Sequence, residues 1–149
     1  GNPKVIEFNC RFGDPETQPV MLRLQSSLVL LIEAAFAEAL DKVEAQWDPR
    51  PSLGVVLAAG GYPADYAKGD AIKGLEQAAA LPGKVFHAGT ALKDGQVVTS
   101  GGRVLCATAM GVTVGEAQQQ AYQLAAQIDW NGCFYRKDIG YRAIAREQQ

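Results

Sequence analysis

The sequence is poor in the residues on which many enzyme sites depend. Its 149 residues include a single histidine, His87, so a Ser/His or Cys/His catalytic arrangement is disfavoured. The three cysteines, Cys10, Cys106 and Cys133, are widely spaced and form no CxxC pair. This spacing argues against a disulfide framework or a zinc site. Free thiols are typical of a reducing compartment, so we expect a cytoplasmic protein.

Long hydrophobic runs and an excess of positive charge are also absent. The best candidate run, residues 28–40, is shorter than the roughly 20 residues that a membrane helix requires, and it contains Glu33 and Glu38. The formal net charge of −2 provides no basic surface of the kind that drives nucleic-acid binding, and no secretory signal is visible. With 48% hydrophobic and 20% charged residues, we expect a globular protein without membrane or nucleic-acid partners.

The first third of the sequence predicts elements that do not complete a domain by themselves. Residues 4–9 predict a short strand, which would need a partner strand from elsewhere. Asp14 and Pro15 predict the N-cap and the first position of a helix. Apolar residues at helical spacing predict a helix over residues 27–41, capped by Ser27. The proline-containing segment 44–52 then predicts a linker.

The remaining sequence predicts a small antiparallel sheet covered by one long helix. Strands are predicted over residues 53–59, 84–90, 96–99 and 103–110, with a hairpin turn at residues 93–95. Thr113 and Glu116 have the spacing of a capping box, which opens a helix predicted to reach about residue 129. The side chains that this helix should bury are Ala117, Ala121, Leu124, Ala125 and Ile128. The predicted fold class is therefore α+β.

Glu7, Asn9 and Arg11 recur with the two-residue period of a strand, so their side chains would share one face. Glu7 and Asn9 offer oxygen ligands to magnesium, which usually takes only one or two ligands from protein. Arg11 adds a permanently charged donor for phosphate or carboxylate. The pattern predicts a metal–phosphate edge, although an exposed polar strand face would show the same alternation.

A resemblance to the phosphoribosylamine–glycine ligases, also called glycinamide ribonucleotide synthetases, begins in residues 11–18, which read RFGDPETQ. Gly, Asp, Pro and Glu in this order make a specific signature. Later segments resemble parts of the same family in the same order, at residues 52–63, 83–90, 101–105 and 136–140. The resemblance covers essentially the whole chain.

The resemblance implies an ATP-grasp ligase of de novo purine synthesis. Such enzymes phosphorylate the carboxylate of glycine with ATP, and the amine of 5-phosphoribosylamine then attacks the glycyl phosphate. In that family a Glu-x-Asn pair binds Mg²⁺ or Mn²⁺, which assigns Glu7 and Asn9 as metal ligands. By the same analogy Arg11 and Asp14 would be catalytic residues that contact substrate, and Arg103 would be a further substrate-binding residue.

The resemblance also implies a division of the chain and a missing partner. Residues 1–46 would end the ATP-grasp domain, and residues 47–149 would form the synthetase C-terminal domain. Family members are close to three times as long, so their amino-terminal portion would be needed as a partner and the isolated chain should be inactive. The apolar face of the predicted 27–41 helix would then be bare and could promote self-association.

Other interpretations of the sequence concern the function of the whole chain, its basic tail and its histidine. A free-standing, non-catalytic binding module would keep the same fold, and a carboxylase-type ATP-grasp enzyme is disfavoured by the Asp-Pro-Glu run. We expect Arg136, Lys137 and Arg142 to form a solvated surface, and His87 to be structural.

Overall fold

The computed structural model of the chain describes residues 2–8 and 10–149. Residues 2–8 are exposed and have no regular secondary structure. The predicted strand is therefore wrong over residues 4–8, while Asn9 lies outside the described residues. Backbone groups of a strand are satisfied by a neighbouring strand, and none of the described strands pairs with this segment.

Two short helices follow. Helix α1 covers Thr17–Arg23 and begins after Glu16. Asp14 was expected to cap it and does not, because the Asp14 carboxylate is paired with Arg103 instead. Helix α2 covers Leu28–Phe36, and the predicted Ser27 cap is confirmed, since its hydroxyl accepts from the Leu30 N–H at 3.4 Å.

Helix α2 ends five residues before the predicted position. Glu38 adopts a left-handed backbone conformation with φ of 52°. The Ala39 N–H donates to the Ala34 carbonyl at 2.9 Å, and the Glu38 N–H donates to Ala35 at 3.2 Å. These bonds form a Schellman motif, which satisfies the last carbonyls and turns the chain away from the helix axis. A short 3₁₀ turn, Leu40–Lys42, replaces the final predicted helical turn.

A three-stranded antiparallel sheet forms the centre of the molecule. Its order is β1 (Ser52–Ala58), β5 (Arg103–Met110) and β2 (Lys84–His87). The central strand β5 pairs with both neighbours and is buried along most of its length. The predicted strands at 53–59 and 103–110 are thus confirmed, which fits their continuous apolar character.

A separate hairpin joins β3 (Thr90–Lys93) to β4 (Gln96–Thr99). Asp94 and Gly95 both have positive φ, at 50° and 78°, as a two-residue type I′ turn requires. The turn was predicted correctly, but its first strand was not. The segment 84–90 divides after His87, because residues 84–87 pair with β5 instead of β4.

Helix α4 (Val114–Gln127) packs across β1 and β5, with the short helix α3 (Leu75–Ala79) beside it. The Thr113 hydroxyl accepts from the Glu116 N–H at 3.1 Å, and the Glu116 carboxylate accepts from the Val112 N–H at 2.7 Å. The five side chains predicted to be buried are all buried. The helix ends two residues early because the Asp129 backbone pairs with Lys73.

Helix α1 lies close to the same sheet and is tied to β1 and the segment before it. The Ser52 hydroxyl donates to the Pro19 carbonyl at 2.7 Å. Arg23 and Asp48 exchange two hydrogen bonds, at 2.8 Å and 3.0 Å, and Asp48 is buried. The division at residue 46 stays a prediction. The chain ends with helix α5 (Tyr141–Glu147), and no helix of the described residues has the length and apolarity to cross a bilayer.

Candidate functional site

Of the two predicted metal ligands, the structure describes Glu7, which lies near the start of the chain. Glu7 is exposed in the irregular segment 2–8, and Asn9 lies outside the described residues. Arg11 is also exposed, and its guanidinium donates to the Phe12 carbonyl at 3.3 Å. Within residues 2–8 and 10–149, no group of three or more His, Cys, Asp or Glu side chains is placed to hold a metal. The carboxylate of Glu7 still fits magnesium, which takes few protein ligands and completes its shell with water and phosphate.

Asp14 and Arg103, 89 residues apart in the sequence, meet in the fold. An Arg103 Nη2 atom lies 3.0 Å from the Asp14 carboxylate, and Nη1 donates to the Asp14 carbonyl at 3.5 Å. Arg103 is the first residue of β5, whereas Asp14 lies in the turn before α1. Because α1 packs beside β1 and β5, this turn is brought to the start of β5. The fold therefore joins two of the predicted substrate-contacting residues.

Beside this ion pair is a cavity of about 220 Å³. We call it the arginine cavity. The side chains and backbone that line it are Pro15, Gly54, Val56, Arg103, Arg136 and Ile139. Gly54 belongs to β1, and a Cβ added there would lie 2.9 Å from Cys106 Sγ and 3.1 Å from Pro19 Cγ. Glycine is thus required for the close approach of α1 to the sheet beside the cavity.

Arg136 was expected to lie on a solvated surface, and its side chain is exposed. It also lines this cavity. Its guanidinium makes a two-pronged ion pair with Asp138, with Nε–Oδ1 at 2.9 Å and Nη2–Oδ2 at 2.6 Å. The hydrogen bonds raise the pKa of Arg136 and lower the pKa of Asp138. Both groups therefore keep their charge at neutral pH. In the sequence, the Arg-x-Asp spacing was the signal that could have revealed this ion pair.

The segment that carries Arg136 is anchored to helix α4. The Tyr122 hydroxyl donates to the Arg136 carbonyl at 2.7 Å and accepts from the Ile139 N–H at 3.1 Å. The Gln118 amide donates to the Ile139 carbonyl at 2.7 Å. Three hydrogen bonds from one helix thus fix the backbone of this cavity wall. A larger open cavity of about 500 Å³ continues from Arg136 along α5, past Arg142 and Arg146.

The remaining reactive side chains stand apart from this chemistry. His87 is exposed on β2, with Nδ1 3.1 Å from the Thr90 hydroxyl. Burial raises the pKa of the Cys106 thiol, and burial together with nearby Asp129 raises the pKa of Cys133 to about 11. Both thiols are protonated at neutral pH, so neither is poised as a nucleophile. Arginines and carboxylates, rather than a nucleophile, characterise the site.

Comparison with known proteins identifies the family. Residues 52–142 match the family described as "Phosphoribosylglycinamide synthetase, C domain". The phosphoribosylamine–glycine ligase of Pseudomonas putida is 83% identical over 148 residues, which are 99% of this chain and 34% of that protein. The corresponding ligase of Vibrio cholerae is 71% identical over 148 residues, with the same two coverages.

A solved structure supports the same assignment. The crystal structure of phosphoribosylamine–glycine ligase from Thermotoga maritima matches with a TM-score of 0.69 and 37% identity, over 93% of this chain and 34% of that one. The chain spans about a third of the length of these relatives and corresponds to their carboxy-terminal part. On these grounds the chain belongs to the phosphoribosylglycinamide synthetase C-domain family.

Proposed function

We propose that the chain acts as the carboxy-terminal part of a phosphoribosylamine–glycine ligase. The observation that carries this proposal is the 83% identity to a ligase of that name over 99% of the chain. The contact between Asp14 and Arg103 supports it, because that contact joins the RFGDPETQ segment to the sheet of the C-domain. Aspartate and arginine are also residue types that we expect to bind the charged groups of a substrate.

The proposed reaction joins glycine to 5-phosphoribosylamine with ATP. A glycine carboxylate oxygen takes the γ-phosphoryl group of ATP, and ADP leaves. The amine nitrogen then attacks the acyl carbon of glycyl phosphate, inorganic phosphate leaves, and the amine loses one proton. The products are glycinamide ribonucleotide, ADP and phosphate. Together these steps make an ATP-dependent carbon–nitrogen ligase of purine (IMP) biosynthesis.

Each predicted site residue has a distinct role in this proposal. Glu7 and Asn9 would hold Mg²⁺ or Mn²⁺, which when bound neutralises charge on the nucleotide phosphates. Arg11 would donate to the transferred phosphoryl group or to the acyl phosphate. Asp14 would accept from the substrate amine, and Arg103 would bind the anionic end of the same substrate.

The 149-residue chain alone is expected to lack ligase activity. Residues 2–8, which include Glu7, are exposed and make no strand pairing with the described residues. Transition-state stabilisation by charge requires donors that are held in place before the reaction begins. The partner that would complete the site is the amino-terminal part of the ligase, together with glycine, phosphoribosylamine and ATP as small-molecule substrates.

A chimera tests this proposal. The carboxy-terminal third of the P. putida ligase would be replaced by this chain, and ADP release would be measured with and without glycine and phosphoribosylamine. We expect release that depends on both substrates, and none from the chain alone. Glu7→Gln should raise the magnesium concentration needed for half-maximal activity, whereas Glu33→Gln, a matched exposed carboxylate on α2, should not. An inactive but folded chimera would favour the free-standing binding module.

We also propose that the isolated chain self-associates through α2. Val29, Ile32 and Phe36 share one helical stripe by their spacing, and they are 62%, 45% and 87% exposed. Such an apolar stripe favours association in water. In sedimentation velocity, the average mass should rise with protein concentration, and Ile32→Ser with Phe36→Ser should suppress that rise. Leu92→Ser, at an exposed position on the separate hairpin, is the control and should not.

The proposed location is the cytoplasm. Cys10, Cys106 and Cys133 are all free thiols in the structure, and unpaired cysteines are typical of reducing compartments.

A further inference from the structure

The arginine cavity is lined by two arginines from distant parts of the chain. Arg103 comes from the start of β5, and Arg136 comes from the segment anchored to α4. We propose that the two arginines together bind the phosphate monoester of a sugar phosphate, with Arg136 as the residue that selects for the phosphate. This inference rests on the proposed function, in which the attacking amine is carried by a phosphorylated ribose.

The charges at the cavity leave donors free for a second anion. A guanidinium has five N–H donors. Asp138 occupies the Nε edge of Arg136 through two hydrogen bonds, so the Nη1 donors and the second hydrogen of Nη2 are not used by that carboxylate. Arg103 likewise shares only part of its donor set with Asp14. Two arginines that line one cavity and keep unused donors match a phosphate, which has three acceptor oxygens and up to two negative charges.

The size and lining of the cavity favour a phosphate that carries an organic group. Its volume of about 220 Å³ is far above the roughly 10–15 Å³ that one water molecule requires. Pro15, Val56 and Ile139 contribute apolar surface to the wall, which suits the carbon skeleton of a sugar. The Asp14 carboxylate beside Arg103 accepts hydrogen bonds only, and it is therefore suited to a sugar hydroxyl or amine. Inorganic phosphate would use the arginines and leave these other groups unused.

The wall that holds Arg136 is anchored by hydrogen bonds to its backbone. Tyr122 bonds to the backbone at both Arg136 and Ile139, and Gln118 bonds again at Ile139. A site whose backbone is fixed beforehand loses less entropy on binding. Gly140, which follows, has a φ of 86°, and a Cβ there would lie 2.5 Å from Leu53 Cδ1. The segment is therefore confined on both sides, against α4 and against β1.

The test measures binding by the 149-residue chain in titration calorimetry, with ribose 5-phosphate, inorganic phosphate and ribose as the three probes. We expect ribose 5-phosphate to bind more tightly than inorganic phosphate, and ribose not to bind measurably. Arg136→Gln and Arg103→Gln should each weaken ribose 5-phosphate binding about tenfold, the effect of losing one charge-assisted hydrogen bond. Arg136→Lys should recover only part of the loss, because it restores the charge without the planar donor pair.

Arg146→Gln is the matched control, since it removes the same charge from the neighbouring larger cavity but not from the arginine cavity. Equal weakening by Arg136→Gln and Arg146→Gln would overturn the proposal, because it would reduce the effect to net charge. Full affinity in Arg136→Gln, confirmed as folded by circular dichroism, would overturn it as well. So would equal affinity for ribose 5-phosphate and inorganic phosphate.

A kinetic measurement in the chimera separates this inference from the proposed function. Arg136→Gln should raise the KM for phosphoribosylamine about tenfold while kcat and the KM for glycine stay unchanged. The calorimetric test contains neither ATP nor glycine. An inactive chimera together with intact ribose 5-phosphate binding would therefore refute the proposed ligase function alone. An active chimera whose KM values are unchanged by Arg136→Gln would refute the role of Arg136 alone.

Discussion

Removing the hydroxyl of Tyr122 should destabilise the chain and loosen one wall of the arginine cavity. In Tyr122→Phe the ring remains, and two hydrogen bonds are lost, one to the Arg136 carbonyl at 2.7 Å and one from the Ile139 N–H at 3.1 Å. A net intramolecular hydrogen bond contributes about 0.5–1.5 kcal/mol. Because Tyr122 is only half-buried, water replaces part of each bond. We therefore expect a loss of about 1–2 kcal/mol in the free energy of unfolding.

Urea denaturation followed by far-ultraviolet circular dichroism measures this loss, with an unchanged m-value showing that the surface exposed on unfolding is the same. Tyr141→Phe is the control, because among the described residues its hydroxyl accepts only from the neighbouring Arg142 side chain on the surface. That variant should lie within about 0.5 kcal/mol of the parent chain. Hydrogen exchange at the Ile139 amide should also be faster in Tyr122→Phe. Unchanged stability together with unchanged exchange at Ile139 would refute the anchoring of this segment by α4.

Three further changes test the fold. Thr113→Ala removes the cap of α4 and should cost about 1 kcal/mol in urea denaturation. Gly74→Ala should lower the free energy of unfolding by about 3 kcal/mol or more, because φ is 83° and the new Cβ would lie 1.7 Å from the last carbonyl oxygen of α4. Gly69→Ala is its control. Its φ is 92° but the new Cβ would lie in open space, so only the backbone strain of about 1–2 kcal/mol should be lost. Hydrogen bonds from Arg50 lower the pKa of Asp48 from 3.8 to about 2, so its stabilisation is present above pH 4 and lost as the pH falls towards 2; the melting temperature of Asp48→Asn should vary less over that interval.

Local patterns predicted the elements whose partners lie nearby in the fold. The period of α4 identified all of its buried side chains, and the continuous apolar runs identified β1 and β5. The division of residues 84–93 between two sheets was missed, because pairing with β5 depends on residues about twenty positions away. The early end of α2 was missed for a different reason. Glu38 takes the left-handed position of a Schellman motif, which is usually filled by glycine, so the sequence carried no stop signal there.

The candidate site was also only partly predictable from the sequence. Asp14 and Arg103 were each singled out by resemblance, but only the packing of α1 beside β1 and β5 makes them neighbours. Arg136 was assigned to a solvated surface as part of a basic tail, and the sequence did not show that it also lines a cavity, next to a segment anchored to α4. A pattern of charges along the chain therefore predicts which residues can bind an anion, but not which of them converge.

The described residues anchor the two arginines of the proposed site more firmly than they anchor Glu7, the proposed metal ligand. Arg103 lies on a strand with partners on both sides, and Arg136 lies on a segment with three hydrogen bonds to a capped helix. Glu7 lies in a segment whose described residues pair with no strand. Ordering each residue of such a segment costs about 1–2 kcal/mol, and a single carboxylate does not offset that cost. The chain should therefore bind a sugar phosphate on its own, whereas ordered metal binding at Glu7 should require the amino-terminal part of the ligase.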